Sequence, residues 1–299
     1  AIDRYLCWMF RRLRKKAAIF PVFLLLAVLP GPLPAQQAAE ASAVRPAEYM
    51  IYQYAGVAMV VITDAPETEF DSRITGPDGA VLNEASVAGR RIGPVYQYIG
   101  GPDIPRQLMV HVNPARRIDR SRINMELMQF SQYDRNARSL GNAYSLLAQG
   151  MKKVHEGDTS TWAERAGSLR RAALAFQGLG NERMRLWSEY YAAHLVLHQI
   201  DDVLLALEFA DEIRRGAQTA GYEEIDLAAA ILEADALVLA GDKSSGQSAE
   251  ARYQDAHDAL QAVARLAADL GFTAEQGRAL FNDGLVYEKQ GRLEEAIAR

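Results

Sequence analysis

All 11 prolines of this 299-residue chain lie before Ala115, and none stands between Ala115 and Arg299. Proline removes a backbone donor and clashes with the preceding helical turn. A long proline-free stretch rich in Ala, Leu, Arg and Glu is therefore the composition of consecutive helices. The apolar period changes at the same place, from 2 between Pro46 and Phe130 to 3.6 beyond it. The expectation is a multidomain chain, with a small antiparallel β-sandwich over 46–130 followed by an all-α superhelix over 132–299.

In the first segment, Val57 to Ile62 is a continuous apolar run, and Leu108-Val110-Val112 and Ile123-Met125-Leu127 alternate with their neighbours as half-buried strands do. Turn signals separate them at Gly76-Pro77-Asp78-Gly79, Gly89, Gly93-Pro94, Gly100-Gly101-Pro102 and Asn113-Pro114. The second segment reads as helices near 134–155, 159–178, 182–199, 202–219, 223–240, 249–270, 274–290 and from 292 on. Gly180, Gly221 and Gly271 each stand before a helix, 41 and 50 residues apart, and the polar insert Gly241 to Gln247 is expected to account for the difference. Helix pairs recurring at such a period bury their apolar faces only by stacking on their neighbours.

The last unit carries a motif. With Gly277 as position one, Leu280, Gly284, Tyr287, Gly291 and Ala296 fall at positions 4, 8, 11, 15 and 20. That pattern resembles the tetratricopeptide repeat (TPR), whose period of about 34 residues leads to the expectation that more chain follows Arg299. The earlier units depart from it at the small-residue positions.

The other end reads as a secretory signal peptide over residues 1–35, with its start at Met9. Arg11, Arg12, Arg14, Lys15 and Lys16 precede an apolar run from Ala17 to Leu29, and Pro30 to Ala35 provides a small-residue cleavage site before Gln36. The alternative, an uncleaved anchor, needs about 20 apolar residues. Residues 36–45 read as a flexible leader. Six of the 33 basic and one of the 38 acidic residues precede Gln36, which leaves 27 against 37, a formal charge of −10. Such a balance speaks against nucleic acid, which calls for a basic stripe. The single cysteine, Cys7, lies upstream of Met9, so disulfides, thiol chemistry and Cys-ligated zinc are not expected in the mature part. The expected location is outside the bacterial cytoplasm, periplasmic or extracellular, with membrane contact only through the signal segment.

Candidate chemistry is sparse. His194 and His198 lie four apart on one helix with Glu189 upstream, but the Glu that would follow the first His of a zinc protease is replaced by Leu195. The pair is read as packing or groove-lining, and no metal or cofactor is assigned. His111, His155 and His257 have no visible partners. Asp64, Asp71 and Asp78 fall at strand ends and turns, where either calcium or local backbone bonding would use them. Gly89 to Gly93 lacks the ending of a phosphate loop, and no Gly-x-Ser-x-Gly elbow occurs. Tyr49, Tyr52, Tyr54, Tyr96 and Tyr98 are either a sugar-stacking platform or cross-strand packing pairs.

Glu69 to Gly79, with Asp71 after Phe70 and the Pro77-Asp78-Gly79 turn, resembles the central strand and turn of the bacterial prepeptidase C-terminal-like β-sandwiches. In that family these features organise one sheet edge. The order of signal peptide, β-sandwich and degenerate TPR helices, with the helix Trp187 to His194, resembles the N-terminal part of secreted proteins that end in a CHAT (caspase-like) domain. The resemblance implies a non-catalytic scaffold, with any peptidase dyad beyond Arg299, and a peptide, a protein or an adjoining C-terminal domain as partner. In TPR proteins the first helix of each pair faces the concave side, which points to Arg278, Phe281, Leu285, Glu288 and Lys289 as partner-binding residues. There a basic pair would clamp a carboxylate beside Phe281. The alternatives are a carbohydrate- or calcium-binding β-sandwich with a helical spacer, and a membrane-anchored cytoplasmic adaptor.

Overall fold

A computed structural model describes residues 47–65, 68–86, 93–115, 122–131, 134–153 and 161–299. The signal segment 1–35, the leader 36–45, His155 and residues 89–92 of the Gly89–Gly93 segment lie outside the described residues.

Among the described residues seven strands come first: β1 Ala47–Gln53, β2 Val57–Asp64, β3 Phe70–Thr75, β4 Val81–Ser86, β5 Val95–Ile99, β6 Arg106–Pro114 and β7 Asn124–Ser131. They form two antiparallel sheets, in the orders β1-β6-β3-β4 and β5-β2-β7. Leu108, Val110 and Val112 of β6 point inward together with Ile51 and Ile74. Gln97 of β5 bridges the sheets: it accepts from Ser72 Oγ at 2.6 Å and donates to the Ser72 carbonyl at 3.1 Å. A buried amide so paired is tolerated where an unpaired one would cost roughly 1–3 kcal/mol.

The continuous apolar run of β2 follows from its position. Met59 and Val61 share a face with Gln97 towards the first sheet, while Val60, Tyr96 and Tyr98 line the opposite face, towards the helices. In β7, by contrast, Leu127 is exposed and Phe130 is buried, and among the described residues the strand pairs with β2 alone.

Among the described residues eight α-helices follow, α1 Arg135–Met151, α2 Trp162–Gly178, α3 Glu182–Leu195, α4 Val203–Ala220, α5 Glu223–Lys243, α6 Gly246–Asp269, α7 Thr273–Lys289 and α8 Leu293–Ile297, with a π-turn at Val196–Ile200. The starts of the first four are set by side-chain caps, Asp134 for α1, a Thr161/Glu164 capping box for α2, Asn181 for α3 and Asp202 for α4. Gly180, Gly221 and Gly271 all take positive φ (68°, 72° and 77°) just after α2, α4 and α6, the left-handed conformation that stops a helix and lets the chain reverse. Each helix packs on the next in chain order, and α3 also touches α5. Helix α5 is buried on nearly every side between α4 and α6, with alanines at 228, 229, 230, 234 and 236 keeping its neighbours close.

The expected polar insert is not a loop. Gly241, Asp242 and Lys243 complete α5, and α6 begins at Gly246, so only Ser244 and Ser245 connect them. The Tyr253 ring lies on Gly241, where a Cβ would come within 2.5 Å of it, and Tyr253 Oη donates to Asp242 at 2.8 Å. The longer spacing between Gly221 and Gly271 is thus taken up by longer helices.

Sheet and helices meet through aromatic rings. Tyr144 of α1 packs on Tyr96, Phe130 and Phe176 at centroid distances of 5.8, 5.9 and 5.0 Å. Tyr191 of α3 stacks on Trp187 and donates to the Pro94 carbonyl at 2.7 Å. Desolvation raises the Tyr96 hydroxyl well above its ordinary value and pushes that of Tyr144 up to about 12. No described helix is long and apolar enough to cross a membrane.

Candidate functional site

The alternate helices α3, α5 and α7 bring a set of polar side chains to one side of the helical array. Tyr190 and His194 of α3 are buried, and the ring of His194 lies 4.4 Å from that of His198 at the rim. The π-turn produces this arrangement. Its wider i→i+5 bonding ends α3 with one residue too many per turn, and Asp201 closes it at φ 66°. Lys243 of α5 holds that closure, donating to the Asp201 carbonyl at 2.9 Å and reaching its carboxylate at 2.7 Å.

Facing them, Asp235 of α5 lies 3.6 Å from Arg278 of α7, and Arg278 donates to Glu275 at 3.4 Å. Burial alone would lower the proton affinity of Arg278, but Asp235, Glu275, Tyr190 and Glu69 outweigh it and raise it. His198 is held below its ordinary value by desolvation, with Arg278 adding to the effect and Asp235 opposing it. A small crevice opens here, lined by Ile231, Leu260 and Val263 at its apolar wall and by Asp235, Glu275, Arg278 and Asn282 at its polar edge.

Of the residues expected to bind a partner, Arg278 lines this crevice. Phe281 and Glu288 are exposed and Leu285 half-buried, on stripes of α7 outside the crevice lining. Lys289 is bound to Asp242 of α5 at 2.5 and 2.6 Å. Both basic residues of the expected clamp are thus matched by carboxylates of this chain. The inward stripe of α7 is instead Glu275, Arg278, Ala279 and Asn282, spaced i, i+3, i+4 and i+7. Asp235 and Glu275 were not singled out because their convergence depends on how α5 packs against α7.

The other candidates are dispersed. Asp71 holds Lys153 at 2.7 Å beside Glu84, tying β3 and β4 to the end of α1. Asp78 accepts from the Ala80 amide at 3.0 Å within the β3–β4 turn. Asp64 is half-buried at the end of β2, its proton affinity raised by desolvation. Among the described residues, no group of three or more His, Cys, Asp or Glu side chains is arranged to hold a metal ion. Tyr52 and Tyr54 form an exposed edge-to-face pair 5.1 Å apart, whereas Tyr96 and Tyr98 face the helices. His111 bridges Glu48 and Thr75.

His257 acquires partners that the sequence did not disclose. Its Nδ1 meets Asp283 at 2.5 Å, its Nε2 meets Gln290 at 2.8 Å, and Asp283 also receives Gln261 and, at 3.0 Å, Arg299. This buried network fastens α6 to α7, and no Ser or Cys side chain is part of it. No protein-family model matches the chain, and no curated protein matches it.

Proposed function

We propose that this chain is a non-catalytic interaction module whose helical face, formed by α3, α5 and α7 beside the crevice between α5, α6 and α7, holds an extended segment of a protein partner or of a neighbouring domain. The helices are read as TPR-like pairs, α3/α4, α5/α6 and α7/α8, and the two sheets as a small sandwich that anchors the first pair. The left-handed glycines before α3, α5 and α7 and the sequential helix packing support this reading. The signal-like N-terminal sequence supports export to the bacterial periplasm or beyond, the setting of the CHAT-linked proteins it resembles.

The observation that carries the proposal is the crevice itself. Its apolar wall and its mixed-charge edge come from three successive helices, the combination by which a groove grips a side chain and fixes its direction. In a test, the full chain would select from a displayed library of random peptides, and binding of the selected peptide would be compared with that to Asn282→Trp. The variant is expected to lose the peptide while keeping its far-UV circular dichroism. Undiminished binding to a folded variant would remove the crevice from the contact.

A second reading rests on the exposed Met50 and Tyr52 of β1 and Tyr54 just beyond it, whose two rings are suited to stacking on a sugar. Retention on immobilised polysaccharides, lost on Tyr52→Ala, would favour it.

A further inference from the structure

Independently of the helical face, we infer that the outer face of the four-stranded sheet binds a cuprous ion through the thioethers of Met50 and Met109 and Nε2 of His111. The strand register brings these donors together. Met50 of β1 and Met109 of β6 are direct antiparallel partners, so both side chains leave the same face, with Cβ atoms about 5 Å apart. That face is the outer one. Ile51, Leu108 and Val110, their neighbours in sequence, are buried, while Met50 is 67 % exposed and Met109 half-buried. His111 stands on the same face two residues past Met109, about 7 Å along the strand. The unbranched methionine side chain is flexible enough to swing its sulfur to a point shared with the imidazole.

The imidazole is already oriented for this. Its Nδ1 lies 3.3 Å from Glu48 Oε1, a carboxylate oxygen that only accepts, so Nδ1 carries the hydrogen and Nε2 presents a lone pair. Nε2 lies 3.3 Å from Thr75 Oγ1, and Thr75 is the direct partner of Met109 on β3. The lone pair is thus turned towards the methionine row. A carboxylate behind a histidine is the arrangement that fixes the tautomer of a metal ligand and raises its basicity.

The donor set selects the ion. Thioethers are soft ligands that suit Cu(I), whereas calcium, magnesium and manganese call for oxygen. Two thioethers and a neutral imidazole bring no charge, so a monovalent cation is balanced by Glu48 behind the ring. Arg73, opposite His111 on β3, is held by Glu84 at 3.2 Å and its charge is already matched. The pair also differs from the other described methionines. Met59, Met151 and Met184 are buried, and Met125 and Met128 pack against the core.

The test uses the full chain carrying Cys7→Ser, which removes a competing thiolate, with carbon-13 in the methionine methyl groups. Silver ion is the redox-inert probe. At an equimolar amount, the Met50 and Met109 methyl signals are expected to shift together in NMR spectra while those of Met59, Met151 and Met184 stay in place. Cu(I) would then be competed anaerobically against bathocuproine disulfonate. Glu48→Gln, behind the ligand, is expected to weaken binding about tenfold, and Met50→Leu, Met109→Leu and His111→Gln each by more than that. Leucine nearly conserves the volume of methionine, so weaker binding at an unchanged melting temperature marks a lost ligand and not a lost fold. Silver shifts that miss Met50 and Met109, unchanged Cu(I) affinity in Met50→Leu or Met109→Leu, or losses confined to variants that have unfolded would overturn the inference.

Discussion

At the scale of single residues, the join between sheets and helices depends on a few close approaches. Gly93 has φ 99°, and a Cβ there would lie 2.7 Å from the Trp187 ring. Gly93→Ala is expected to cost at least 1–3 kcal/mol, the order of backbone strain at such an angle, in urea unfolding. Tyr191→Phe removes the bond to the Pro94 carbonyl and should cost about 1 kcal/mol by the same measurement, because a partly buried acceptor loses its donor. Glu84 makes acid sensitivity residue-specific. Burial acts to raise its pKa, but Arg73 and Lys153 hold it below its ordinary 4.5. A carboxylate depressed in the folded state stabilises above that value, and the contribution is lost as pH falls through the lower folded one. Thermal unfolding followed against pH should therefore show less loss below 4.5 in Glu84→Gln than in the parent, from a lower starting stability.

At the scale of elements, the glycine spacing was legible in sequence because a left-handed cap is a local demand that few residues other than glycine meet. The same locality made Val57 to Ile62 readable as a strand, and its burial on both faces explains why it does not alternate. What the sequence concealed is decided by packing. Gly241 to Gln247 has the composition of a loop, yet it is helix at both ends because Tyr253 covers Gly241 and binds Asp242. The π-turn at Val196–Ile200 has no sequence signature of its own and depends on Lys243, 42 residues away along the chain, to close around Asp201. Lys243→Ala is expected to loosen that turn, seen as faster hydrogen exchange at His198 and Gln199, with the rest of α3 unchanged.

For the whole molecule, residues 45–299 form one compact unit. Residues 134–299 produced alone should keep a helical circular-dichroism signal but melt below the full chain, because Tyr144, Trp187 and Tyr191 lose the cover of the sheets. Equal melting temperatures would mean that the aromatic junction contributes nothing. The groove was only partly legible. Arg278 follows from the repeat register, but Asp235, Glu275 and His198 belong to it through contacts between helices far apart in sequence, which periodicity within one helix does not encode. Backbone-amide NMR of the full chain, titrated with a library-selected peptide, tests the groove most directly. Shifts clustered around His198, Asp235, Arg278 and Asn282 are expected. Shifts confined to Met50, Tyr52 and Tyr54, on β1 and just beyond it, would contradict the groove and assign binding to the sheet.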